Sequence, residues 1–104
     1  MAKHGFTTTI LHGDRRLQVE HGAVHKPIHT STQYAYPDAR ELAAVFQGKP
    51  GFTYARQGTP TTDALEKKIT AMEGGVASLS FATGMGALAA LFTTLRRSGD
   101  HRYQ

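Results

Sequence analysis

Residues 59–99 read as helix, strand, helix, and the single strand in the middle constrains this chain more than any other feature. Thr59 is placed to cap a helix with Pro60 at its first position. Leu65, Ile69 and Met72 recur at helical spacing, and Gly74-Gly75 ends the run. Val76 to Phe81 is short, partly alternating and preceded by glycine, which predicts a strand. Met85, Leu88, Phe92 and Leu95 then share one face of a further helix, with Gly99 at its end. A lone buried strand leaves N–H and C=O groups unpaired along both edges, at a free-energy cost that neighbouring strands remove. The place for the next strand is just after Gly99-Asp100, where the sequence gives His101-Arg102-Tyr103-Gln104 and ends. The expectation is an α/β layer of which this chain is the front, truncated part.

Upstream the pattern is looser. Up to about Pro37 there is no repeated apolar face, and Gly5, Gly13, Gly22, Pro27 and Pro37 interrupt the chain, so it reads as an extended arm. Ordering such an arm costs about 1–2 kcal/mol per residue in backbone entropy, which burial must offset. The arm is therefore expected to pack on another subunit or on further parts of its own chain. A short helix follows, with Asp38 as cap, Glu41 three residues on, and Leu42, Val45 and Phe46 as its apolar face. Gly48 and Pro50 stop it. Residues 51–58 form a loop or a short extended piece.

At 104 residues the chain has room for one domain. Its formal charge of +4 is spread over scattered Lys and Arg. The tight basic pairs are Arg15-Arg16, Lys67-Lys68 and Arg96-Arg97, the last two placed in predicted helices, and no stripe with interleaved aromatics suggests nucleic acid. With no cysteine, disulfide and thiolate chemistry are excluded. The start lacks the apolar run of a signal peptide, and no apolar stretch has the length of a bilayer span, so a soluble cytoplasmic protein without membrane contact is expected. His21, His25 and His29 recur every four residues, but Gly22 and Pro27 oppose a helix there. Along an extended chain neighbours in that series stand roughly 13 Å apart, so no metal site is assigned.

Two stretches carry chemistry. In Ser80-Phe-Ala-Thr-Gly-Met-Gly-Ala-Leu88 a small glycine-containing turn leads into a helix. The first N–H groups of a helix lack internal partners and sit at its positive end, so the Gly84 and Met85 N–H groups, with the Thr83 hydroxyl, can cradle a phosphate. Such turns also exist simply for tight packing. The stretch is neither a Walker A loop nor a complete dinucleotide fingerprint. In Phe52-Thr-Tyr-Ala-Arg-Gln-Gly-Thr-Pro-Thr61, Tyr54 and Arg56 lie two apart, on one face of an extended backbone, and an arginine fork beside a phenol suits a phosphate. A surface Arg beside a half-buried Tyr is the plainer alternative.

Tyr54-Ala-Arg56, Thr59-Pro60-Thr61, Leu65-Glu66, Met72-Glu73-Gly74-Gly75, Thr83-Gly84-Met85 and Gly99-Asp100 occur in one order. Leu11-His12-Gly13, Pro27-Ile28 and Ser31-Thr32 precede them. Together they resemble the N-terminal region of the Cys/Met-metabolism family of pyridoxal-phosphate enzymes, over about Thr7 to His101. The family includes cystathionine gamma-synthase, cystathionine lyases, O-acylhomoserine sulfhydrylases and methionine gamma-lyase. The resemblance implies the N-terminal part of a fold-type I transferase. Residues 1–58 would be an arm with a short helix that packs on a partner subunit, and residues 59–104 the start of the large cofactor-binding domain. It implies pyridoxal 5'-phosphate as cofactor, its phosphate held by Gly84 and Met85 with Thr83 beside them. Tyr54 and Arg56 would reach from one subunit's arm to the phosphate in its neighbour, within a homodimer or homotetramer.

Thr59 stands where the family often has Asn, and either caps a helix. Gly86 stands where Ala is frequent, which loosens a helix start slightly. None of the five lysines, Lys3, Lys26, Lys49, Lys67 and Lys68, matches the context of the family's Schiff-base lysine. That lysine, a ring-stacking tyrosine and an aspartate for the pyridine nitrogen belong to downstream parts of such enzymes. No catalytic residue is assigned here, and the chain alone is expected to be inactive. The implied chemistry of the parent enzyme is beta- or gamma-elimination or replacement, with an O-acylated homoserine as the first-choice substrate. Substrate choice rests mostly with downstream residues. Two other readings are a non-catalytic module that docks its arm on a full-length relative, and a small nucleotide- or nucleic-acid-binding domain that uses the Thr83-Gly84-Met85 turn.

Overall fold

The computed structural model describes residues 4–13 and 20–99, so Lys3, the Arg15-Arg16 pair, Asp100 and His101 lie outside the described residues. The described chain runs through α1 (Phe6–His12), a 3-10 turn (Glu20–Gly22), α2 (Ala39–Phe46), α3 (Pro60–Glu73) and α4 (Gly84–Leu95).

α3 shows how local chemistry sets boundaries. Thr59 is extended, at φ −131° and ψ 158°, and its hydroxyl accepts from the Thr62 N–H at 3.1 Å. The Thr62 hydroxyl in turn accepts from the Thr59 N–H at 3.1 Å. This reciprocal box closes with threonine in place of the usual glutamate. Pro60 follows, where a missing N–H costs nothing. At the far end Gly74 takes the left-handed conformation, φ 64°, and the Gly74 and Gly75 N–H groups both donate to the Thr70 carbonyl. Thr59→Ala is expected to cost about 1 kcal/mol in a denaturation midpoint followed by far-UV ellipticity. Thr59→Ser, which keeps the acceptor, should stay close to the parent.

α2 is capped as its sequence indicates, by the Asp38 carboxylate, although the bond goes to the Arg40 N–H at 2.9 Å. Leu42 and Val45 are half-buried while Phe46 is exposed, so the helix turns two of its three expected apolar residues inward. The helix expected to carry Arg96 stops at Leu95. Arg96 is extended, its N–H closes on the Phe92 carbonyl at 3.0 Å, and its guanidinium folds over the Phe92 ring at 5.7 Å.

Two expectations are corrected. The first 37 residues are not a helix-free arm, because Phe6–His12 forms α1, which lies against α3. Its cap residue, Gly5, offers no side-chain acceptor. Thr9 and Ile10 are half-buried, so tertiary contact rather than a sequence signal accounts for the helix. The arm is also tied to the start of α3 by the His29 N–H, which donates to the Thr61 hydroxyl at 2.7 Å.

Second, Val76 to Phe81 is not a strand. A strand exists only with a hydrogen-bonded neighbour, and among the described residues the β pairing is the isolated antiparallel bridge between Gln33 and Tyr54. On α4, Met85, Leu88 and Leu95 lie exposed, while Gly86, Ala87, Ala90 and Phe92 are half-buried.

No described side chain is fully buried. The radius of gyration is 17.2 Å, against about 13 Å for a compact domain near this length. Leu79, four-fifths exposed, stands with Ala77, Phe81 and α4 on one open apolar face, and Val76 is fully exposed. The α-helices position the candidate site; a closed core does not.

Candidate phosphate site

The turn into α4 has the geometry of an anion cradle. Thr83 is extended, at φ −139° and ψ 150°. Its hydroxyl accepts from the Gly86 N–H at 2.9 Å and its carbonyl from the Ala87 N–H at 3.1 Å. The third and fourth N–H groups are thereby satisfied. The first two, on Gly84 and Met85, have no carbonyl one turn behind them and point out of the positive end of the helix. Nothing lies within 4 Å of where a Gly84 Cβ would stand, so the approach to these donors is open there. The Thr83 hydroxyl uses a lone pair in its cap and keeps its hydrogen to donate.

Gly86 has a different role from a loosened helix start. A Cβ there would meet the Thr83 hydroxyl at 2.9 Å, so the glycine leaves room for the cap that shapes the cradle.

Tyr54 and Arg56 are brought together, but not by extended backbone. Residues 55–57 form a turn in which the Gln57 and Gly58 N–H groups both donate to the Tyr54 carbonyl, at 3.0 and 3.3 Å. The turn carries the Arg56 guanidinium over the Tyr54 ring, 5.1 Å from its centroid, a cation–π contact. Thr53 braces the turn through a 2.6 Å bond from its hydroxyl to Gln57 Oε1. The incoming strand-like piece pairs with the arm: the Tyr34 N–H donates to the Thr53 carbonyl at 3.2 Å and the Ala55 N–H to the Thr32 carbonyl at 2.8 Å. Among the described residues Arg56 makes no ion pair. No hydrogen bond, ion pair or ring contact among the described residues joins the Tyr54–Arg56 pair to the Thr83–Met85 turn.

Four further residues escaped notice as site residues in the sequence: Glu66 and Thr70 on α3, and Ser78 and Ser80 in the segment before Thr83. Glu66 Oε1 accepts from both the N–H and the hydroxyl of Ser80, at 2.9 and 2.8 Å. The Thr70 and Ser78 hydroxyls lie 2.7 Å apart. A polar residue every four on the helix, matched by one every two on the segment, was the available signal. Among the described residues no three His, Asp or Glu side chains form a metal-ligating group, and the chain turns at His21, where φ is 57°.

A helix start with two free N–H donors, and an arginine fork laid on a phenol, are each chemically suited to a phosphate group. Residues 7–103 match the family model described as Cys/Met metabolism PLP-dependent enzyme, and the chain belongs to that family. An L-methionine gamma-lyase of Pseudomonas deceptionensis is 37% identical over 97 residues, which is 92% of this chain and 24% of the relative. The crystal structure of metB from Corynebacterium glutamicum superposes with a TM-score of 0.79 at 33% identity, over 95% of this chain and 24% of that one. The cystathionine gamma synthase of Xanthomonas oryzae pv. oryzae, solved in complex with cystathionine, gives 0.72 at 28% identity, over 96% and 24%.

This chain spans about a quarter of the length of these relatives. The match falls on the N-terminal region of fold-type I enzymes, so the α/β class is that of the larger fold, while the described segment is mostly helical. The family is pyridoxal-phosphate-dependent. The donors at Gly84 and Met85 suit the dianionic phosphate of that cofactor, and the open space over Gly84 lets it approach.

Proposed function

We propose that the protein carrying this chain is a pyridoxal-phosphate enzyme of sulfur amino-acid metabolism acting on an O-acylated homoserine, as a cystathionine gamma-synthase or a sulfhydrylase does. The observation that carries the cofactor part of this reading is the turn into α4, with its paired free donors and threonine cap, in a chain of that family; the substrate choice follows the family resemblance, with an O-succinylhomoserine sulfhydrylase of Pseudomonas aeruginosa among the relatives. Gly84, Met85 and the Thr83 hydroxyl hold the phosphate. Tyr54 orients the Arg56 fork, which neutralises the phosphate's charge from residues 1–58, an arm that packs on a partner subunit of a cytoplasmic homodimer or homotetramer. Residues 59–104 open the large cofactor-binding domain. When bound, pyridoxal phosphate supplies an electron sink for charge developing on the substrate. These residues bind and orient; none of the five lysines has the context of a Schiff-base lysine, so residues 1–104 alone bind phosphate weakly and turn over no substrate.

The test is product formation by the full natural polypeptide. Release of cystathionine or homocysteine from O-acylhomoserine with cysteine or sulfide supports the reading. Methanethiol from methionine, with no reaction on O-acylhomoserine, would replace it by a gamma-lyase, the activity named for the Pseudomonas deceptionensis relative. Arg56→Ala is expected to weaken pyridoxal phosphate binding about tenfold or more, since it removes charge-assisted hydrogen bonds. Binding of pyridoxal, which lacks the phosphate, should not change. Equal losses for both ligands would remove Arg56 from the phosphate site.

A further inference from the structure

We propose that Glu66 is a positioning residue for the Thr83–Met85 turn, acting with Thr70 as a two-point clamp on the segment that leads into α4. The inference rests on the reading of that turn as a phosphate grip. Glu66 Oε1 accepts two hydrogen bonds from Ser80, from the N–H at 2.9 Å and from the hydroxyl at 2.8 Å. One turn further along α3, the Thr70 hydroxyl donates to the Glu66 carbonyl and stands 2.7 Å from the Ser78 hydroxyl. The pairing is antiparallel, 66 with 80 and 70 with 78.

The spacing is a geometric match. Four residues of helix rise about 6 Å, and two residues of extended chain span about 6.6 Å. Both contacts therefore form together only when the segment is drawn out in one register. A slip of one residue would set Leu79 or Phe81 opposite Glu66, and neither side chain has a donor.

Among the described residues the segment has no ladder partner, and its hydrogen bonds to Glu66 and Thr70 tie it to α3. Its platform is anchored at both ends, by the Thr59–Thr62 box and by the Gly74 and Gly75 N–H groups on the Thr70 carbonyl. Only Phe81 and Ala82 separate Ser80 from Thr83, so the start of α4 inherits the register that Glu66 sets. A supporting shell of this kind decides whether donors sit where a ligand needs them.

The experiment compares pyridoxal phosphate affinity in the full natural polypeptide and in its Glu66→Ala, Glu66→Gln and Ser80→Ala variants, with pyridoxal as the control ligand. Glu66→Ala is expected to weaken pyridoxal phosphate about tenfold, by loss of both bonds to Ser80. Glu66→Gln keeps an acceptor oxygen and should bind within about twofold of the parent, because the clamp needs the acceptor rather than the charge. Ser80→Ala removes one bond and should cost about threefold, with Glu66→Ala/Ser80→Ala no weaker than Glu66→Ala alone.

Parent-like binding by Glu66→Ala, or a Gln variant as weak as the Ala variant, would overturn the inference. Where Glu66→Ala fails to fold, Ser80→Ala decides, and parent-like affinity there overturns it as well. A parent that binds pyridoxal phosphate no tighter than pyridoxal would instead sink the phosphate reading of the turn, and the inference with it.

Discussion

Gly84→Pro is expected to leave α4 folded and to weaken pyridoxal phosphate binding by about 10- to 100-fold, the loss of one charge-assisted bond from backbone to phosphate. The substitution suits this position for three reasons. Gly84 is the first residue of the helix, where proline's fixed φ is already correct and its missing N–H had no intrahelical partner. The residue before a proline must be extended, and Thr83 is, at φ −139° and ψ 150°. The space around a Gly84 Cβ is clear for at least 4 Å. The helix therefore keeps its fold while one of the two free donors disappears. Far-UV ellipticity and a pyridoxal phosphate titration read the two effects separately. Gly84→Ala, which retains the N–H, should lose much less affinity. An unchanged affinity in the proline variant would mean the turn exists for packing alone.

The second large effect falls on stability. Gly51→Ala should cost about 1–3 kcal/mol, the range for overpacking. A Cβ at Gly51 would come within 2.7 Å of the Tyr36 hydroxyl and 3.0 Å of a Val45 methyl. The tyrosine has little freedom to move, because its hydroxyl donates to the Phe52 carbonyl at 2.6 Å. Val45 belongs to the inward side of α2, so the strain passes between that helix and the piece that leads to Tyr54. Tyr36→Phe removes the oxygen that the new methyl strikes. In the double variant the two costs should fall short of their sum by about 1 kcal/mol, measured by denaturant unfolding. Simple additivity would show that the contact with Tyr36 is not the cause.

The first prediction concerns the start of α4 and the second the piece that leads to Tyr54, and the legibility of these two regions differed for one reason. Helix ends are decided within four residues of chain, so Asp38, Thr59-Pro60 and Gly74 marked their boundaries in the sequence and serve there in the structure. The free donors at Gly84 and Met85 follow from the same local rule. The Tyr54–Arg56 neighbourhood did not follow from spacing. Period-two reasoning applies to extended backbone, whereas residues 55–57 turn, and a cation–π contact makes the juxtaposition instead.

What the sequence determined by itself is therefore the punctuation: where α2, α3 and α4 begin, how α3 ends, and that the α4 start presents unpaired N–H groups in a chain of this family. Each is a short-range hydrogen-bond question with its answer a few residues away. Tertiary structure alone decided the rest. Residues 76–81 carry strand-forming side chains, yet strand is a property of a pair, and here Glu66 and Thr70 of α3 hold the segment. α1 has no cap in its sequence and is helical because it lies on α3. Burial and pairing depend on residues distant in sequence, and no local pattern encodes which distant residue will arrive.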